Sequence, residues 1–261
     1  MASHPSLPRD WRDEKGYSSL DRAEPAAMAW EWLRRDATYQ VAAKAARVRT
    51  GGSGLAVLAP DPEAARWGLH AFEDPALAAG VARPVWRCSW FGLVLPAIAE
   101  RAGPAADRFD LSRFAEFATL ISGKDGVQHL LLSDGWSSLR LDVGGESLRD
   151  GPMRLHYRLA GLAGARGPLA TLQGLLRLWQ LGRLDRPAPR LRNRRLILLL
   201  RAHDAVQCGA SQREIAEVLL SAEAARARWR SEVPSLRLRA QRLVKGAQAL
   251  AQGAFRKLLS G

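Results

Sequence analysis

The chain has 261 residues, with 39 Lys/Arg against 26 Asp/Glu and apolar and charged fractions of 47% and 25%. These are ordinary globular values, so a core can be buried and wholesale disorder is excluded. The opening residues are polar, and the longest apolar runs (90–99 and 196–200) fall well short of the roughly 20 residues a membrane helix needs. A soluble cytoplasmic protein is expected, with no membrane partner.

The first predicted element is a helix over 21–35, with Pro25 in its first turn, where a missing N–H costs nothing. Met28 and Trp32 share one face and Ala29, Trp30 and Leu33 lie beside it; this Trp density predicts docking on the rest of the chain, with an exposed protein-binding face as the alternative. Thr50-Gly-Gly-Ser-Gly54 reads as a flexible break. Neither it nor Ser122-Gly-Lys-Asp-Gly126 is followed by Gly-Lys-Ser/Thr, so no phosphate loop is predicted. Between 55 and 162 the pattern turns to short β-type runs at 85–90, 128–132, 138–143 and 153–159. Ser133-Asp-Gly135 and Gly144-Gly145 supply turns, which predicts a small antiparallel meander with one wet face. An apolar helix over 168–184 follows, ended by Gly182 and the Arg186-Pro-Ala-Pro189 linker.

The organisation expected is therefore α+β. A helical segment (1–50) and a β-rich region ending in a helix (51–186) precede an all-α, helix-turn-helix-like domain (187–261). The last 75 residues hold 15 Lys/Arg but 5 Asp/Glu, and so carry most of the excess positive charge. A helix over 193–208 is predicted there, with Leu196, Ile197, Leu199, Leu200 and Val206 as its apolar interior and Gly209 as its stop. Ser211 and Glu214 form a capping box for a second helix, whose Ile215, Ala216 and Leu219 face the first. Gln212 and Arg213 remain at its exposed start.

A third helix over 234–250 has Leu236, Ala240, Leu243, Ala247 and Leu250 on its inner stripe. Arg237, Gln241, Arg242 and Lys245 point away, with Arg239 on the flank. Arginine can pair with guanine and glutamine with adenine, while other cations sit on phosphates, so this face suits double-stranded DNA. Arg226, Arg228 and Arg230 extend it as secondary phosphate contacts, with Trp229 anchoring that segment. The linker of about a dozen residues before Pro234 exceeds the usual three- or four-residue turn. Either a further short helix fills it or the Pro234 helix is not the one that reads DNA. The same basic domain could instead dock an acidic protein partner.

Catalysis and cofactors are not expected. His129 and His156 fall near Asp134, Asp142 and Asp150 in the β region, but no metal-helix spacing or nucleophile elbow is present. Cys88 and Cys208 match no metal-ligand spacing and are expected to be packed thiols.

Three groups of residues carry a family resemblance. The first is Asp10-Trp-Arg12, Tyr17, and Ala29-Trp-Glu-Trp-Leu-Arg-Arg35 with Tyr39; the second is Trp67-Gly-Leu69 with Phe72-Glu-Asp-Pro75. The third is Ala210-Ser-Gln-Arg-Glu-Ile-Ala216, Trp229, Leu236, Arg242-Leu243 and Phe255-Arg-Lys-Leu-Leu259. The chain resembles a bacterial family of transcriptional regulator-like proteins with a C-terminal helix-turn-helix-like domain of unassigned function. It is similar to the frameshifted excision activators of integrative and conjugative elements. The resemblance implies promoter binding and activation of excision or transfer genes, with control by a small antiactivator or contact with the transcription machinery. An antiactivator-like role, binding a related regulator, is the alternative. A homodimer would fit paired half-sites. Gln252-Gly-Ala-Phe255 departs from the Gly-Gly-aromatic sequence common in the family.

Overall fold

Eight of the nine residues in Pro25–Leu33 (α1) are buried, Glu31 among them, so this helix has no wet face. The computed structural model describes residues 10–46, 54–101, 108–123, 125–185, 188–220 and 234–260. The predicted single helix over 21–35 is shorter. A 3-10 turn (Lys15–Arg22) precedes α1, and Asp36 caps a separate helix, α2 (Ala37–Ala45). Pro25 does occupy the first turn. Glu31 is tolerated inside because it accepts from the Ala79 amide at 2.8 Å and from Arg35 at 2.5 Å. Burial pushes its pKa up, but the guanidiniums of Arg35 and Arg34 outweigh this and hold it below the usual carboxylate range.

The chain divides into two compact units, which are the described residues of Met1–Ala23 with Ala188–Phe255, and those of Glu24–Pro187 with Arg256–Gly261. The second contains a mixed seven-stranded sheet. Its strands are β1 (Ala56–Leu58), β2 (Val94–Arg101), β3 (Arg108–Phe109), β4 (Ala118–Ser122), β5 (Gln128–Ser133), β6 (Ser138–Gly145) and β7 (Met153–Tyr157). They lie in the order β1-β4-β5-β6-β2-β7-β3.

The expected meander is therefore corrected. β5 and β6 do form a hairpin across Ser133-Asp-Gly135, but β6 does not turn onto β7 at Gly144-Gly145. β2 lies between them, parallel to β6 and antiparallel to β7. The sheet is wet on neither face over its centre. Leu95, Leu120, Leu130, Leu132, Leu141 and Val143 pack under α3 (Gly161–Leu181), with its Leu175 and Leu178. On the opposite face Ile121 and Leu131 meet Ala71 and Val85. The predicted strand at 85–90 is not one, since Trp86 makes only an isolated bridge to Leu69. Gly68 stays open because a Cβ there would overlap the Trp90 ring, and its φ of +75° favours glycine. α3 starts earlier than predicted and contains Pro168, but ends at Gly182 as expected. Cys88 and Cys208 are exposed, not packed.

The tryptophans dock within the chain. Trp30, Tyr39, Trp67 and Phe72 form one aromatic cluster with ring centroids 5.6–5.8 Å apart. The Trp30 Nε1 donates to the Leu77 carbonyl at 3.0 Å, and the Tyr39 hydroxyl to that of Glu73 at 2.8 Å.

The first unit is built around α4 (Leu191–Gln207). Its Asn193 Nδ2 lies 3.0, 3.0 and 2.8 Å from the carbonyl oxygens of Leu20, Asp21 and Ala23. Two turns further, Arg201 donates to the Trp11 and Arg12 carbonyls at 3.0 and 3.1 Å. The Tyr17 hydroxyl donates to Asp204 at 2.7 Å. These bonds help satisfy a strip of 3-10 and irregular backbone that burial would otherwise penalise.

Asn193→Ala is expected to destabilise this unit by about 2 kcal/mol, because three carbonyls lose a side-chain donor, and only those of Leu20 and Asp21 retain a backbone one, from Ala23 and Arg190, among the described residues. Asn193→Asp should cost more, since a carboxylate faces three carbonyl oxygens and cannot donate when ionised. Urea unfolding followed by helical circular dichroism measures both, and equal stability of the Asp variant and wild type would contradict this role.

Candidate nucleic-acid interface

In α4, Leu196, Ile197, Leu199, Leu200, Ala202 and Ala205 are buried. The helix ends at Cys208, and Gly209 follows with φ +77°, the left-handed conformation expected of a stop. Its N–H donates to Val206 and that of Ala210 to Ala205. Ser211 then caps α5 (Gln212–Leu219). The predicted capping box is present in both directions. The Glu214 amide donates to the Ser211 hydroxyl at 3.2 Å, and the Ser211 amide to the Glu214 carboxylate at 2.8 Å. The bond from the Ser211 backbone is the main reason the Glu214 pKa lies below its ordinary value.

Ile215 and Ala216 are fully buried and Leu219 is half-buried. Ala216, with Leu220, packs on Leu236 and Ala240 of the third helix, α6 (Pro234–Ala251). Further along, α6 meets α4 at Gly246, where an added Cβ would lie 3.0 Å from the Leu199 side chain. The inner stripe is as predicted for Leu236, Ala240, Leu243 and Ala247, while Leu250 is half-buried.

The residues expected to meet DNA sit as follows. Gln212, Arg213, Arg239, Gln241, Arg242 and Lys245 are exposed, while Arg237 is half-buried, its Nε enclosed and without a hydrogen-bond partner among the described residues. Arg213 is held along α5 by Glu217 at 2.8 Å. Gln241, Arg242 and Lys245 share the outer face of α6 with Leu238, which is 47% exposed. An apolar side chain among cations is what a groove containing thymine methyl groups can accommodate. Arg226, Arg228 and Arg230, Trp229 and the question of an additional helix before Pro234 lie outside the described residues.

The sequence reading missed one group. Arg190, Arg192, Arg194 and Arg195 surround the first turn of α4, all exposed, and none makes an ion pair among the described residues. Asn193, buried between them, fixes this turn to the carbonyls of Leu20, Asp21 and Ala23, so the arginines are presented from a braced end. The run Arg190-Leu-Arg-Asn-Arg-Arg195 is visible in the sequence as a local charge cluster.

The histidine and aspartate candidates do not converge on one catalytic site. His129 pairs with Asp142 at 2.6 Å, whereas His156 pairs with Glu100 at 3.0 Å. Asp134 accepts from the amides of Trp136 and Ser137 and so shapes the β5–β6 turn. Among the described residues no helix is long and apolar enough to cross a membrane.

Two family models match. Residues 159–260 match the RovC-type family described as a T6SS transcription factor DNA-binding domain. Residues 10–70 match the proteobacterial transcriptional regulator-like domain. A comparison with curated proteins finds no match. Both families are of transcription factors or regulators and not of enzymes, in line with the expectation of no catalysis. The chain thus carries a transcriptional regulator-like domain toward its N-terminus and a RovC-like transcription-factor DNA-binding domain toward its C-terminus, with DNA as the partner that the latter implies.

Proposed function

We propose that this chain is a sequence-specific transcriptional activator whose α6 enters the major groove and whose targets are excision or transfer genes of a mobile element. The observation that carries the DNA-reading part is the exposed Gln241-Arg242 and Lys245 face of α6, inside a domain matched to a transcription-factor DNA-binding family. Arg242 and Gln241 are the base-reading pair, and Arg237, Arg239 and Lys245 contact phosphate or flanking bases. Gln212 and Arg213 meet the backbone at the start of α5. Arg190, Arg192, Arg194 and Arg195 form a second phosphate-contacting cluster, and Arg226, Arg228 and Arg230 are assigned as secondary phosphate contacts.

The choice of mobile-element genes rests on the resemblance of the two end segments to excision activators. The C-terminal match makes secretion-system promoters the competing target class. Two copies on paired half-sites, and control by an antiactivator, complete the reading.

The test is binding of the full chain to promoter fragments of both classes, measured by fluorescence anisotropy with excess non-specific competitor. Competitor-resistant binding to an excision or transfer promoter is expected. Resistant binding confined to a secretion-system promoter would retain DNA reading and overturn the assigned target. Binding abolished by competitor on every fragment would move the basic face to an acidic protein partner.

Arg242→Ala is expected to weaken the preferred site by about 1–3 kcal/mol while leaving non-specific binding and helicity almost unchanged. Replacing Arg192, Arg194 and Arg195 together should weaken all sequences alike. It should also flatten the slope of log K against log salt by about one for each phosphate that is no longer neutralised. Ile215→Asp should instead abolish binding by unfolding the domain, since it places an unpaired charge at a fully buried position at a cost of roughly 4 kcal/mol or more. Retained helicity in that variant would contradict the packing described.

A further inference from the structure

The regulator-like match ends at His70, and this residue is held in an unusual place. Its backbone is pinned on both sides, with its N–H donating to Val85 at 2.9 Å and its carbonyl accepting from Asp61 at 2.8 Å. Its ring stacks on His129 of β5 with centroids 3.6 Å apart. His129 is directly opposite Asp142 of β6 in the sheet register, and its Nδ1 meets the carboxylate Oδ1 at 2.6 Å. His70 is only 8% exposed, yet its Nε2 is enclosed without a hydrogen-bond partner among the described residues. A buried ring nitrogen with nothing to bond is costly unless something occupies its lone pair.

One ligand atom from each of His70, His129 and Asp142 falls within 4.8 Å of the other two. We propose that these three residues form a binding site for a divalent cation of the zinc class, which ties the segment bearing His70 to strands β5 and β6. Two imidazoles and one carboxylate are a donor set that favours zinc over magnesium or calcium, whose sites are built from oxygen. Arg140 bears on the site, since its buried positive charge beside Asp142 opposes a second cation and sets the cost that the three ligand bonds must exceed. Its guanidinium is buried, donates to the Trp86 carbonyl at 3.1 Å and meets Asp142 Oδ1 at 2.9 Å. It thereby balances the carboxylate when no cation is bound and directs His129 and itself to Oδ1. The second oxygen, Oδ2, accepts no hydrogen bond among the described residues and is available as a ligand. Binding exchanges the His129–Asp142 contact for metal bonds and gives His70 Nε2 its partner. Sequence spacing could not reveal the site, because 59 and 13 positions separate the three residues; sheet pairing sets His129 beside Asp142, and ring stacking sets His70 on His129.

The experiment uses the full chain, stripped with a chelator and titrated with Zn2+ against a chromophoric competitor, and separately with Co2+. One saturable equivalent per chain is expected, with His70→Ala and Asp142→Asn each weakening it at least tenfold at unchanged helicity. His156→Ala, which removes the exposed His156–Glu100 pair, should leave it intact. Absence of saturable binding, or His70→Ala and Asp142→Asn variants that bind as wild type, would overturn the proposal. If the variants do not fold, the wild-type Co2+ spectrum decides. Intense visible bands of a four- or five-coordinate ion support the site, and the pale spectrum of the hydrated ion overturns it. DNA binding can fail or succeed independently of this result.

Discussion

The helical unit depends on the bonds that α4 makes to a strip of chain some 170–190 residues earlier. Asn193 and Arg201 between them contact the carbonyls of Trp11, Arg12, Leu20, Asp21 and Ala23. The Tyr17 hydroxyl closes the same contact on Asp204. An amide or a guanidinium can serve several acceptors at once, which no apolar residue could do at these positions. Most of this strip is short 3-10 turn and irregular backbone, so its polar groups depend on side chains from elsewhere. In return it holds the long helix against which α6 packs. The Asp10-Trp-Arg12 and Tyr17 residues of the regulator-like segment thus have a definite mechanical part in the DNA-binding half of the chain.

This arrangement explains why sequence families and compact units divide the chain differently. The regulator-like match runs through residues 10–70, but residues up to Ala23 pack with the C-terminal helices and those from Glu24 pack with the sheet. The DNA-binding match begins at residue 159, which brings in α3, a helix whose Leu175 and Leu178 belong to the core under the sheet. The sheet unit also keeps ionic groups inside. Arg140 is 1% exposed and Glu31 likewise, and each is acceptable only because its partners are fixed by backbone already in place.

The C-terminal helices were legible because their signals are local. A glycine stop, a Ser-x-x-Glu cap and a 3.6-residue apolar period act within a few residues, and all three are present at the expected positions. The sheet was less legible because its pairing is not local. β2 lies in a nearly continuous apolar run containing Pro96, without the alternation that marks a half-wet strand, and its parallel neighbour β6 follows only after three intervening strands. β1 and β3 have three and two residues, too few for any period. Trp90 and its neighbours read as a strand by composition, yet the segment serves to cover the sheet. On the basic face of α6, Gln241, Arg242 and Lys245 are exposed as the helical wheel predicts, but Arg237 is less open than its wheel position implies. Helical position gives direction, whereas the depth of neighbouring side chains decides how much of a long arginine remains accessible.

The most direct test of the central claim, that α6 reads bases in the major groove, is a guanine-N7 methylation footprint of the full chain on its preferred promoter fragment. The account predicts protected guanines within the site, at least one of which becomes reactive again in Arg242→Ala while the flanking backbone protection persists. A footprint with no guanine protected in the major groove, or one identical in the variant, would contradict it.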